Sequence, residues 1–217
     1  MNLNYVLQMN EILKDRSNPK ILLQSCCAPC SSFCLLTLRE VSNITVYYYN
    51  PNITDPAEYD LRYEEQKRLI NEFNTDLEFK LDKGSQQINF EHECYVNQID
   101  LLDASYEPDL FLESVKGYED CPERGDRCSI CFDLRLRETA LKAKELGYDL
   151  FATTLTLSPL KNAHIINAIG EKISKEVGIE YLPTDFKKKN GYKESIELSK
   201  KYNLYRQDYC GCVFSKN

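Results

Sequence analysis

Histidine is nearly missing from this 217-residue chain, occurring only as His92 and His164. Neither sits at metal-ligand spacing, so each reads as a surface or packing residue rather than a ligand. Phosphate-binding glycine loops are absent: there is no G-x-x-x-x-G-K-[ST] and no G-x-G-x-x-G. A G-x-S-x-G nucleophile elbow is lacking as well. The longest apolar runs are far too short to span a bilayer, which argues against a transmembrane helix. No internal repeat or low-complexity stretch stands out. The N-terminal MNLNYVLQMNEILKDR lacks a basic start followed by an apolar block, so no export signal is expected and the location is read as cytoplasmic.

Against these absences stand ten cysteines and a net charge of -7. The acidic balance argues against a generic nucleic-acid binder. The charge is uneven: from Leu157 onward there are 11 basic and 7 acidic residues. That asymmetry admits an anionic partner on the C-terminal side. A hydrophobic fraction of 42% suffices for a sizeable core, and the length suits a single α/β domain over 1–217.

Apolar periodicity predicts helices over 3–14, Ser31–Glu40, Ala57–Phe73, Pro108–Val115, Cys128–Leu146, Ala163–Val177 and Ser195–Tyr202. Strands are predicted at Ile21–Leu23, Ile44–Tyr49, Leu77–Leu81 and Asp149–Thr154. Residues 83–103 follow no clear pattern. Alternating strands and helices favour a parallel, doubly wound sheet, in which sites form at the carboxyl ends of the strands. The Cys26-Cys27-Ala28-Pro29-Cys30 loop follows the first strand and so falls at that edge.

Eight cysteines fall in three groups: Cys26, Cys27, Cys30 and Cys34; Cys128 and Cys131; Cys210 and Cys212. A cytosolic chain keeps few disulfides, so clustered cysteines there point to metal binding or redox chemistry. Thiolate sulfur suits soft metals. Residues three apart on a helix are neighbours, and helix N-termini stabilise thiolate, a position expected for both Cys27–Cys30 and Cys128–Cys131. Four thiolates from two distant loops meet the requirement of an iron–sulfur cluster. Zinc is the rival metal, although zinc-ribbon pairs lie much closer in sequence. Cys210-Gly211-Cys212 reads equally as a redox dithiol, whose disulfide would be strained and easily reduced, or as two reduced thiols beside a mobile tail. Cys94 and Cys121 read as free thiols or small hydrophobes, and Cys34 as packed core.

The stretches LLQSCCAPCSS (22–32), YYNPNI with EYDLR (48–62), RCSICFDLRLRETALKAKELGYDLFATTLTLSPLKNAHIINAIG (127–170) and LPTDFKKKNGYKESIELSKKYNLYRQDYCGCVFS (182–215) together resemble the epoxyqueuosine reductase QueH family. The resemblance covers most of the chain from Leu22 to Ser215. It implies a fold related to the α/β layer of ATP pyrophosphatases and adenine-nucleotide α-hydrolases (HUP-like), with cysteines where those enzymes carry a phosphate loop, so ATP use is not implied. Residues 83–103 match poorly and read as a variable insertion, and 204–217 as a redox-active tail.

The activity implied is two-electron reduction of the epoxide of epoxyqueuosine in tRNA to queuosine, the last step of queuosine biosynthesis. By the same resemblance, Cys26, Cys27, Cys128 and Cys131 would ligate a [4Fe–4S] cluster. Cys210 and Cys212 would form a redox-active disulfide. Cys30 is the candidate ligand of a second metal, an adjacent mononuclear iron. The partners implied are tRNA carrying epoxyqueuosine at the wobble position and an electron donor whose identity the resemblance does not specify. Lys187, Lys188, Lys189, Lys193 and Arg206 are the candidate RNA phosphate contacts, and Tyr209 or Asp208 a proton source. The alternatives are a zinc-stabilised binding module without catalysis and a thiol-disulfide oxidoreductase using Cys210 and Cys212 alone.

Overall fold

Ile21-Leu22-Leu23 sends alternate side chains to opposite faces, as a strand must, and all three are fully buried. Ile21 and Leu23 enter one core and Leu22 the other. A strand apolar on both faces belongs inside a sheet covered on both sides by helices. The computed structural model, which describes residues 4–75 and 97–216, has that arrangement.

In chain order the elements are α1 (Tyr5–Lys14), β1 (Lys20–Gln24), α2 (Ala28–Leu38), β2 (Asn43–Tyr47), α3 (Pro56–Thr75), β3 (Asp100–Leu102), α4 (Pro108–Ser114), α5 (Asp126–Glu145), β4 (Leu150–Thr153), α6 (Ala163–Val177), β5 (Glu180–Tyr181) and α7 (Gly191–Lys201). Short 3-10 turns occupy Thr154–Leu157 and Val213–Ser215. The five strands form one sheet in the order β3-β2-β1-β4-β5, and every pairing is parallel. Residues of α1, α2, α3 and α7 pack over one face and residues of α5 and α6 over the other.

The strand order decides where a site can form. The chain moves outward from β1 through β2 to β3, then returns to the other side of β1 for β4 and β5. Neighbouring connections therefore diverge between the carboxyl ends of β1 and β4, and such a switch point leaves a crevice. Cys26 and Cys27 follow β1 there, and the turn Thr154–Leu157 follows β4. The Cys26 N–H donates to Thr154 Oγ1 across the gap (3.4 Å).

The expected strands at 21–23, 44–49 and 149–154 are present as β1, β2 and β4, with shifted ends. The expected strand Leu77–Leu81 lies outside the described residues, as do His92 and Cys94. Asp100–Leu102, inside the stretch expected to be a variable insertion, forms the edge strand β3 beside β2. The Asn74 side chain fastens this stretch by hydrogen bonds to both backbone groups of Ile99. Strands of three and two residues, β3 and β5, are too short to show periodicity.

Helix α7 starts at Gly191, four residues before the apolar spacing does. Its first turn sits so close to α2 that a Cβ on Gly191 would lie 1.8 Å from the Phe186 carbonyl oxygen and 2.6 Å from the Phe33 ring. Only a hydrogen fits there. Gly191→Ala is therefore expected to lower the unfolding free energy by about 3 kcal/mol, the upper range for overpacking, measured as an earlier urea midpoint. An unchanged midpoint would show that α7 and α2 can separate at no cost.

Candidate metal and redox site

Every crossover helix in a parallel sheet begins at the edge where the strands end. The first turns of α2 and α5 consequently share the carboxyl edge with the loop after β1. Cys27 is the residue preceding α2, and Pro29 occupies its first turn, where no N–H bond is lost. Cys30 lies in that turn too, so the helix begins three residues before the apolar pattern suggested. The Sγ atoms of Cys26, Cys27 and Cys30 all lie within 4.8 Å of one another, and Cys26 and Cys27 are 3.7 Å apart. The donor set is purely sulfur, which selects a soft metal. Cys34, one turn on, is fully buried and donates its thiol to the Cys30 carbonyl (3.2 Å); it is core, as expected.

The trio shares its protons unequally. Hydrogen bonds from Cys27 and Cys30 hold the Cys26 thiol well below its ordinary value, with Lys161 and Arg135 assisting against burial. In turn the bond to Cys26 pushes Cys27 up to about 11, and Cys30 is driven well above its usual range by Cys26 and Cys27. One thiolate is thus supported by two neighbouring thiols. The Gln207 amide adds a donor to Cys27 Sγ at 2.8 Å.

Cys128 and Cys131 occupy the first turns of α5. Burial raises both thiols, Cys131 to about 11, while the Arg124 N–H donates to Cys128 Sγ (3.2 Å). Binding a metal here releases protons. These two cysteines and the pair Cys210 and Cys212 line one cleft of about 640 Å³, including the space at its open mouth. Phe111, Phe132, Leu160 and Ile165 supply apolar walls.

The Cys210-Gly211-Cys212 tail is held in place. Arg62, ion-paired with Glu58 at 2.6 Å, donates to the carbonyls of Tyr209 and Cys210, and Asn52 donates to the latter as well. Gly211 has φ 99° and packs against Ile53, where a side chain would clash. Both cysteines are free thiols. Cys212 and Ser215 donate to the Cys210 sulfur, lowering its pKa to about 5 with help from Lys161, whereas Cys212 is pushed far up by the Cys210 thiolate.

The structure groups the cysteines as three plus four, with two cations common to both groups. Arg135 acts on Cys26 and Cys131, and Lys161 on Cys26, Cys30 and Cys210. Neither was singled out from sequence. Arg135 is one helical turn past Cys131 on the same face, a signal available in R-C-x-x-C-F-x-x-R. Lys161 follows the turn after β4, and only the switch-point topology marks it.

Other expected site residues are engaged elsewhere. The Lys187 ammonium donates to the Lys161 carbonyl and pairs with Asp185 at 3.3 Å. Arg206 donates to Ser199 Oγ. Lys188, Lys189 and Lys193 are exposed. Tyr209 lies beneath the Arg62 guanidinium at 5.2 Å, and Asp208 is exposed. The Cys121 carbonyl accepts from Arg127, which also takes the carbonyls of Tyr118 and Glu119 and so clamps the loop ahead of α5. His164 is exposed and meets the Tyr5 hydroxyl at 3.2 Å. No helix among the described residues is long and apolar enough to cross a membrane.

Residues 21–217 match the profile of the family described as "Epoxyqueuosine reductase QueH". A protein of that name from Streptococcus pyogenes serotype M1 is 42% identical over 202 residues, covering 93% of this chain and 72% of the relative. Its namesake from Staphylococcus epidermidis is 40% identical over 219 residues, 98% of this chain and 84% of the relative. The one from Thermotoga maritima is 33% identical over 195 residues, 90% and 89%. With nearly the whole chain matched in this way, and the cysteine edge lying inside the matched region, the protein belongs to the epoxyqueuosine reductase QueH family.

Proposed function

We propose that this chain is an oxidoreductase that reduces the epoxide of epoxyqueuosine in tRNA to the alkene of queuosine. The observation that carries the reading is the clustering of Cys26, Cys27 and Cys30 after β1, with Gln207 of the tail donating to Cys27 and the Cys-x-x-Cys start of α5 and the Cys-Gly-Cys tail lining one cleft. The overall change consumes two electrons and two protons and releases water.

Cys26, Cys27, Cys128 and Cys131 are the proposed ligands of a [4Fe–4S] cluster, with Cys30 directed to an adjacent iron. The all-sulfur donors support that set, as do the close approach of Cys26 to Cys27 and the placement of Cys128 and Cys131 in the first turns of α5. Such a centre supplies single-electron transfer and a Lewis acid for oxygen. Around it the chain's own residues divide the remaining work. The helix starts of α2 and α5 hold the thiols with their sulfurs at the edge. Phe111, Phe132, Leu160 and Ile165 give the cleft apolar walls.

Cys210 and Cys212 are the proposed store of two electrons. Closing the S–S bond from Cys210 thiolate and Cys212 thiol releases two electrons and one proton. The cationic ammonium of Lys161, which lines the cleft, joins Tyr209 and Asp208 as a proposed proton source. An external donor then restores the dithiol.

The substrate base sits in a tRNA loop, where unstacked bases are the usual targets of recognition. Arg124, exposed at the cleft mouth, is better placed for a phosphate than Lys187 or Arg206, both of which already serve protein acceptors.

The central test is anaerobic incubation with a reductant and tRNA carrying epoxyqueuosine, followed by nucleoside analysis. Queuosine should form; no conversion by protein containing iron and sulfide would sink the reading. Cys128→Ser should lose iron and sulfide and drop turnover at least 100-fold, whereas an enzyme using only the tail dithiol would survive it.

In reduced, metal-free protein, Cys210 should react with iodoacetamide at a rate constant across pH 6 to 8. Because its pKa is lowered, the thiolate persists above about 5, and reactivity should vanish as pH falls through that value. A rate climbing steadily toward pH 9 would show an ordinary thiol.

Arg124→Gln should weaken tRNA binding and reduce the slope of log affinity against log salt by about 0.7, the loss of one single-strand phosphate contact. An unaltered slope would take Arg124 out of the RNA interface.

A further inference from the structure

Arg135 is 2% exposed and lies in mid-helix on α5, one turn beyond Cys131. Its Nη2 donates to Asn50 Oδ1 at 2.6 Å, and its buried Nε has no hydrogen-bond partner among the described residues. Asn50 is neutral, and its own amide is committed to the Ser25 carbonyl (2.8 Å). Gln24 also donates to the Asn50 oxygen at 3.3 Å. This network aims the guanidinium and leaves its charge uncompensated.

Arg62 provides the comparison within the same molecule. It is equally buried, yet it has the Glu58 carboxylate at 2.6 Å and donates to two carbonyls. Removing an unpaired charge from water is strongly unfavourable. A fold that does so at Arg135, with no carboxylate ion-paired to it among the described residues, has an anion to offer instead. Cys131 lines the same cleft as Arg135, one turn back on α5, and the sulfurs of Cys131 and Cys26 both feel its charge. Lys161 shares the cleft with Arg135 and adds to the positive potential.

We propose that Arg135 is the buried counter-cation of the thiolate-bound centre, a positioning residue that raises the reduction potential of the iron–sulfur group held there. The inference rests on the cofactor assignment proposed above. A cluster with four thiolate ligands gains negative charge on reduction, and a fixed positive charge in a poorly polarisable surrounding favours the reduced form. Lys161 adds its own positive charge at Cys26 and Cys30, so the Arg135 contribution is read as a difference between variants that all keep Lys161.

The test compares wild type, Arg135→Gln and Arg135→Lys, prepared anaerobically. The readouts are midpoint potential by EPR-monitored titration, iron and sulfide content, and far-UV circular dichroism. Arg135→Gln should shift the midpoint negative, with about a tenfold lower ratio of reduced to oxidised cluster at fixed potential, about 59 mV for one electron. Arg135→Lys, which keeps the charge, should recover most of that shift. A folded Arg135→Gln protein without iron, beside an iron-loaded Arg135→Lys, would equally support a charge requirement. An unshifted midpoint in Arg135→Gln would overturn the proposal. So would equal shifts, or equal iron loss, in the two variants, because shape rather than charge would then be what matters. Wild-type protein with no redox-active iron would instead overturn the cofactor assignment, and this inference with it.

Discussion

Parallel pairing is the constraint on which the rest of the molecule depends. When all five strands run the same way, every strand ends, and every crossover helix begins, on one edge. Residues far apart in sequence reach that edge without any long loop. Cys26 and Cys27 arrive at the end of β1, Cys128 and Cys131 at the start of α5. The reversal of strand order between β1 and β4 then opens the space between them. An antiparallel arrangement of the same elements would divide these sulfurs between two opposite ends.

Electrostatics sets the character of the space so formed. Buried sulfur is an inexpensive neighbour while protonated and a demanding one when ionised. The site meets that demand in two ways. Thiols next to a thiolate donate to it, as Cys27 and Cys30 do for Cys26, and Cys212 does for Cys210. Arg135 and Lys161, neither ion-paired with a carboxylate among the described residues, supply the opposite charge. The chain as a whole is acidic, so this positive patch is local and arises from the placement of a few side chains.

Much of this was legible in the residues, and the gaps have physical causes. Amphipathic spacing located α3, α5 and α6 well, because long helices repeat their pattern several times. Helix α2 began earlier than its pattern because its first turn is made of Ala28, Pro29 and Cys30, residues that carry no helical periodicity. The edge strands β3 and β5 are too short to alternate visibly. The cysteine groups stood out through rarity and spacing. The cations did not, because a lysine or arginine gains meaning only from what surrounds it, and 27 such residues are spread along the chain. Lys187 shows the reverse case: it sits in a basic run that suggested RNA, but its ammonium is taken by Asp185 and a backbone carbonyl.

The anchored tail has a consequence for assembly. Gln207 reaches Cys27 across 180 positions of sequence, and Cys210 is clasped by Arg62 and Asn52 from the first half of the chain. During synthesis the sheet's central strands and the cysteines that follow β1 and open α5 leave the ribosome well before this tail. For that interval the thiol edge lacks one wall. The thiol edge therefore acquires this wall last, and Cys27 and Cys210 take up their final surroundings only once the tail has docked.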